Sequence, residues 1–205
     1  MPEPSVVALE GLPFTGKSSA AAALHRANPS ISVIADYHEL LTAPERAQMA
    51  ALSNSLADQH RRVQMYRDMD DLRWKQAHHA RGPVVVLDRC FVSIAAYRTA
   101  LHRSFAATVW NSGENSAEGL ECEKPIPDTI VYFALDLDTA LARHHRLATT
   151  IDERLRGRGF LSNLIDAYNQ VLTRCTSTVF VVDSTRDLPT VVRTVEEFFH
   201  DTIPN

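Results

Sequence analysis

The sequence predicts an α/β domain built on a doubly wound, five-stranded parallel sheet flanked by helices, and three observations carry that expectation. Short, fully apolar runs alternate with helical patterns along the 205 residues, as they do when parallel strands are covered on both faces. Between the first such run and the first helical pattern lies Gly11-Leu12-Pro13-Phe14-Thr15-Gly16-Lys17-Ser18, which fits G-x-x-x-x-G-K-[ST] without a departure. Two later strands end on a carboxylate, Asp36 and Asp88, at the edge of the sheet where open α/β folds bind their ligands. With 45% hydrophobic residues the chain is long enough for one core and short for two, so residues 1–205 read as a single domain.

Taken in order, Val6-Val7-Ala8-Leu9 is the first strand, buried because no polar residue interrupts it. Gly11 and Gly16 let the loop backbone turn its N–H groups inward, toward the positive end of a helix that runs on through Ser18–Leu24. Such a loop cradles the phosphates of a nucleoside triphosphate, so Gly11, Pro13, Phe14, Thr15, Gly16, Lys17, Ser18 and Ser19 are expected to bind ATP. Lys17, expected to face solvent, would reach the β- and γ-phosphates, and Ser18 would ligate Mg²⁺. Asn28-Pro29-Ser30 breaks the chain before a second strand, Ile31–Ala35, which delivers Asp36 to the ligand crevice. From about Glu39 to Ala80 the pattern is helical, interrupted near Thr42-Ala43-Pro44. Gln64, Arg67 and Asp71 follow i, i+3, i+7 spacing there, which fits one wall of a pocket or a solvent-facing charged stripe. The turn Arg81-Gly82-Pro83 leads into Val84–Leu87 and then Asp88-Arg89. Asp88 is the expected partner of Mg²⁺ and its waters, and Arg89 offers a planar fork to a phosphate.

A net charge of −4 excludes a global basic field, so nucleic acid is not an expected partner. The cysteines Cys90, Cys122 and Cys175 are too few for a disulfide framework or a zinc site and suit a reducing cytoplasm. His78-His79 and His144-His145 lack the i, i+4 partners of a metal site, and no N-K-x-D guanine signature occurs. Met1-Pro2-Glu3-Pro4 lacks a basic leader region and no apolar run approaches ~20 residues, so neither a signal peptide nor a membrane span is expected. Residues Asn111–Lys124 are polar and read as a mobile surface insertion.

Glu10-Gly11 to Ser18, together with Asp88-Arg89-Cys90-Phe91-Val92-Ser93-Ile94-Ala95-Ala96-Tyr97, resembles thymidylate kinases, which read E-G-x-x-x-x-G-K-[ST] and D-R-Y-x-x-S-x-x-A-Y. Pro127–Asp138 is similar to that family's P-D-L-T-x-x-L-D-V-D strand. The resemblance implies that Arg143 stacks on adenine, that Arg186 borders it after the fifth strand at Val179–Asp183, and that Tyr97 lies on the acceptor side. It also implies a short arginine-rich lid at about residues 147–159, carrying Arg154, Arg156 and Arg158, ahead of a helix from Phe160 to Arg174 with Tyr168 at a matching place. The chain departs where Pro13 replaces an Asp, Ala35-Asp36-Tyr37 replaces R-E-P, Cys90 replaces a Tyr and Ile94 replaces a polar residue. A second family, the deoxynucleoside kinases, is similar in Val63-Gln64-Met65-Tyr66 (F-Q-x-Y, whose glutamine reads the base), in Arg156-Gly157-Arg158 and in the placing of Asp36, where a carboxylate takes the 5′-hydroxyl proton.

The expectation is therefore an ATP- and Mg²⁺-dependent phosphotransferase. Its catalytic residues would be Lys17, Asp36, Arg89, Arg154, Arg156 and Arg158, and its metal residues Ser18 and Asp88. Asp36, Gln64, Arg67, Arg73, Arg89 and Tyr97 would bind a small-molecule acceptor, a nucleoside monophosphate or a nucleoside. A phosphorylated acceptor is preferred, because Arg67 and Arg73 lie on the helix leading into the Asp88-Arg89 strand and could share a wall with Arg89. Asp36 and Arg89 are expected to have separable jobs. A non-nucleotide acceptor, such as an antibiotic or biosynthetic intermediate, and a non-catalytic ATP-binding module are the alternatives; a homodimer is left open.

Overall fold

The computed structural model of the chain describes residues 3–52, 56–109, 125–147 and 155–202. The apolar runs become five strands: β1 (Ser5–Gly11), β2 (Ile31–Ile34), β3 (Val84–Asp88), β4 (Thr129–Ala134) and β5 (Thr178–Asp183). They form one sheet in the order β2-β3-β1-β4-β5, parallel throughout. The crossovers run through α1 (Lys17–Ala27), then α2 (Tyr37–Leu40), α3 (Ala43–Ala51) and α4 (Leu56–His79), then α5 (Phe91–Val109), then α6 (Leu137–Leu147) and α7 (Arg158–Leu172). A last helix, α8 (Leu188–Thr202), follows β5.

Alternation along β1 shows why both faces are covered. Val6 and Ala8 pack with Trp74, Val92, Leu161, Leu164 and Tyr168, whereas Val7 and Leu9 pack with Ala20, Leu24, Val191, Val195 and Phe199. Successive strand residues point to opposite faces, so a strand buried on both must be apolar at every position; each fully buried Val or Leu contributes roughly 1.5–3 kcal/mol. The register pairs Leu9 with Asp88 on one side and with Val131 on the other, which brings the end of β1, and the loop it feeds, level with the carboxylate ending β3. This is the crevice beyond the carboxyl ends of the strands.

Three details depart from the sequence reading. The helical stretch read from about Glu39 to Ala80 is three helices, and its interruption is a helix start. Thr42 Oγ1 accepts from the Glu45 N–H at 3.4 Å while the Glu45 carboxylate accepts from the Thr42 N–H at 2.7 Å, a capping box with Pro44 in the first turn. Helix α8 was not read at all, although Val191, Val195 and Phe199 carry the i, i+4, i+8 spacing of a buried stripe. Helix α7 begins at Arg158 rather than at the expected Phe160, so the last arginine of the expected lid stands in its first turn; Arg154 and the insertion Asn111–Lys124 lie outside the described residues. Among the described residues no helix is long and apolar enough to cross a membrane.

Candidate active site

The loop expected to bind ATP joins β1 to α1, with Gly11 ending the strand, Pro13 half-buried, and Ser18 and Ser19 exposed in the first turn of α1. Gly11 sits at φ 137°, and a Cβ there would stand 2.7 Å from the Phe133 carbonyl oxygen of β4, so only glycine fits. Phe14 holds a left-handed backbone, φ 63°, without being glycine. The Thr15 hydroxyl donates to the Leu12 carbonyl at 2.9 Å. Lys17, expected to face solvent, is only 5% exposed: its Nζ donates to the Leu12 and Gly11 carbonyls at 2.6 and 3.1 Å and to Thr15 Oγ1 at 3.2 Å. Burial drives its pKa down to about 7, helped by the Arg89 charge and opposed by Asp88, Glu10 and Asp36.

Ser18 and Asp88, 70 residues apart in sequence, meet here, the serine hydroxyl donating to Asp88 Oδ2 at 2.5 Å. Asp88 Oδ1 is buried with no hydrogen-bond partner among the described residues. A hydroxyl oxygen beside a carboxylate with an unsatisfied oxygen is the hard donor set that suits Mg²⁺ held partly through water, so these residues fit the ion.

Arg89 is the hub of the opposite wall. It takes a left-handed backbone, φ 73°, and its N–H donates to the Leu9 carbonyl at 3.0 Å. Its Nε donates to Asp36 Oδ2 at 2.7 Å, and its Nη1 donates to the Gly11 carbonyl at 3.1 Å, Ser93 Oγ at 3.0 Å and the Tyr168 hydroxyl at 3.2 Å. Burial raises the Asp36 pKa, but the Arg89 guanidinium and the His38 N–H outweigh it and hold the carboxyl below its ordinary value. Asp36 and Arg89, for which the sequence suggests separable jobs, are joined as one ion pair.

Glu10 is the residue whose role the sequence reading missed. It is fully buried in β1, and its carboxylate accepts from the Cys90 N–H at 2.7 Å, the Ser93 N–H at 3.2 Å and the Ser93 hydroxyl at 2.6 Å, capping the start of α5. Burial raises its pKa, against the opposing pull of Arg89, Ser93 and Cys90. A lone charge inside an otherwise apolar strand was the available signal, because such a charge must find partners.

The acceptor-side expectations need correcting on α4. Gln64, Arg67 and Asp71 lie on its exposed face, where Gln64 donates to Asp68 of the same helix at 2.7 Å. The inward line is Tyr66, Asp70 and Arg73. Arg73 is fully buried; its Nη2 donates to the carbonyls of Asp88 and Arg89 at 2.8 and 2.9 Å, and its guanidinium lies 4.3 Å over the Tyr37 ring, whose hydroxyl donates to Asp70 at 2.6 Å. It braces the end of β3 rather than standing open as a clamp. Tyr97 is half-buried against Phe160, ring centroids 6.1 Å apart.

On the donor side Arg143 reaches the loop and the segment after β5, donating to the Phe14 carbonyl at 3.1 Å and the Arg186 carbonyl at 3.3 Å; the Arg186 side chain is exposed. Arg156 is half-buried beside a groove of about 380 Å³ shared with Leu141, His145, Gly157 and Arg158. Arg158 pairs with Asp138 at 2.6 Å on the exposed surface. Among the described residues no cluster of three His, Cys, Asp or Glu side chains could hold a metal by itself.

Comparison with known proteins agrees with this architecture. No curated protein matches the sequence. A deoxyadenosine kinase from M. mycoides, solved with the products dCMP and dCDP, superposes with a TM-score of 0.70 at 17% identity, covering 96% of this chain and 99% of that one. The same kinase with dATP bound gives 0.68 at 17% identity over 95% and 99%. Thymidylate kinase from Candida albicans gives 0.71 at 19% identity over 97% and 92%. The sequence profile of the AAA domain matches residues 6–171. That match spans the loop, the Ser18–Asp88 pair and the Asp36–Arg89 pair, and with it the chain belongs to the AAA domain family, on a fold shared with P-loop nucleoside and nucleotide kinases.

Proposed function

We propose that the protein transfers the γ-phosphoryl group of ATP to a hydroxyl of a small acceptor, a nucleoside or a close analogue. One observation carries this reading: at the carboxyl ends of β1, β2 and β3, a phosphate cradle made by Lys17 and the Ser18–Asp88 pair faces a second wall made by the Asp36–Arg89 pair. Lys17 and the loop amides hold the β- and γ-phosphates, and Ser18 and Asp88 hold Mg²⁺, which when bound offsets charge on those phosphates. Asp36 accepts a hydrogen bond from the acceptor hydroxyl and orients it toward the γ-phosphorus. As the new O–P bond forms and the bond to the β-bridging oxygen breaks, the proton passes to Asp36 and ADP leaves. With its carboxyl held below the ordinary range, Asp36 is a weak base; a loose transition state needs little more than orientation from it.

Support for a neutral hydroxyl over a phosphorylated acceptor comes from the arginines. Arg73 donates to the main-chain carbonyls of Asp88 and Arg89 and Arg67 is exposed, which weighs against the wall of three arginines that favoured a nucleoside monophosphate. The test is an acceptor screen following ADP release from ATP over nucleosides, nucleoside monophosphates and unrelated hydroxyl compounds, with Lys17→Ala as control. Turnover with a nucleoside, lost in the control, is the expected result; a monophosphate as best acceptor would refute the hydroxyl reading, and turnover by Lys17→Ala would refute the loop's role.

A further inference from the structure

His144 is not used by the chemistry above. It sits on α6, next to Arg143, and is 2% exposed. Its ring stands edge-on to that of Phe14, centroids 5.2 Å apart, so the imidazole packs directly against the phosphate loop. Neither Nδ1 nor Nε2 has a hydrogen-bond partner among the described residues. Buried ring nitrogens normally find partners, because leaving them unmade forfeits the hydration they had in the unfolded chain. Leucine or phenylalanine would fill the same space without that cost, so the polar ring calls for another reason.

The surroundings narrow the choice. The neighbouring Arg143 holds the Phe14 carbonyl at 3.1 Å, tying α6 to the loop at the same residue. Phe14 keeps a left-handed backbone that favours glycine, and the ring it thereby places is the one His144 meets. Burial, with Arg156 and His145 adding to it, holds the imidazole pKa below its ordinary value and so favours the neutral ring. A neutral imidazole has one N–H to donate and one lone pair to accept with.

Resting on the reading that this loop binds a nucleotide, we infer that His144 is a positioning residue for the donor, giving a ring N–H to its phosphate chain. The contact supplies a partner for a buried donor that has none among the described residues.

The experiment separates this from packing by asking for effects of opposite sign. Wild type, His144→Leu and His144→Gln are compared for thermal unfolding and for ADP affinity by calorimetry. His144→Leu is expected to raise Tm, since an unpaired buried polar group is gone, and to weaken ADP binding five- to twentyfold, with His144→Gln in between. Unchanged ADP affinity in His144→Leu overturns the inference, and so does a parallel loss of Tm and affinity, which marks a structural residue. Should His144→Leu not fold, the ¹⁵N signals of the wild-type imidazole decide: a shift of the His144 nitrogens on adding ADP supports the contact and its absence overturns it. Wild type that binds neither ADP nor ATP defeats the nucleotide reading itself, a result distinct from wild type that binds while the variants bind equally well.

Discussion

In the donor half of the crevice, Lys17 and Thr15 hydrogen-bond loop atoms no more than six residues away. In the acceptor half, Arg89 reaches Asp36 across 53 residues and Tyr168 across 79. The first arrangement follows from a short backbone motif whose glycines and helix start shape it locally. The second exists only once β1, β2, β3 and α7 are packed together. Around Lys17 the donor half should therefore keep its shape through side-chain changes elsewhere, whereas the acceptor half should fail at single positions.

The largest effect is expected where the halves meet. Glu10 lies in β1 yet holds the start of α5, so Glu10→Ala takes from the Cys90 N–H its carboxylate acceptor, leaves Ser93 with only its bonds to Cys90, Tyr168 and Arg89, and removes a compensating charge from beside Arg89. A loss of about 3–5 kcal/mol in denaturant unfolding is expected, the range for stranding one member of a buried charged network. A loss near zero would show that α5 is held by apolar packing alone.

Next in size is the coupling of Asp36 and Arg89. Because the pair is mostly buried, with 18% side-chain exposure at Asp36 and 12% at Arg89, Asp36→Asn, Arg89→Met and the double variant should give non-additive unfolding energies, coupled by about 1–3 kcal/mol. Additive effects would restore the two separate jobs that the sequence suggested.

The donor half makes a pH prediction. Lys17 has its pKa lowered to about 7 in the protein from an ordinary 10.5, and bound phosphate must return it toward the charged form. The complex then holds more protons than the free protein between those two values, so binding strengthens as pH falls toward 7 and weakens as it rises. ADP affinity measured from pH 7.5 to 9.5 should drop by at most about tenfold per pH unit. A flat profile in the wild type would mean that the lysine stays charged in its buried place.

The smallest effect is expected at Arg158. Its pair with Asp138 is exposed on both sides, so Arg158→Ala should cost under ~1 kcal/mol of stability and leave kcat within a few-fold. A fall in kcat beyond tenfold would return this arginine to the reacting phosphates and sharpen the boundary of the donor half.

Strand alternation, the loop and Ser18 with Asp88 were legible because each rests on a local pattern: apolar runs, glycines at fixed spacing, a carboxylate after a strand. What escaped were the facing of α4 and the duty of Glu10. On α4 both candidate lines are polar, Gln64-Arg67-Asp71 on one and Tyr66-Asp70-Arg73 on the other, so a 3.6-residue period names two faces without ranking them. The fold ranks them by burial, seating the second line against the Tyr37 ring and hydroxyl and the carbonyls ending β3.

By itself, then, the sequence determined the α/β alternation and the phosphate loop, because hydrophobic period and backbone permissiveness act over a few residues. Only the tertiary structure decided that Arg73 braces a strand, that Asp36 and Arg89 act as one pair and that His144 faces the loop. A buried polar group goes where its charge and hydrogen bonds are met, and for Arg73, Asp36 and Arg89 those partners lie on other elements, 15 to 53 residues away in the chain.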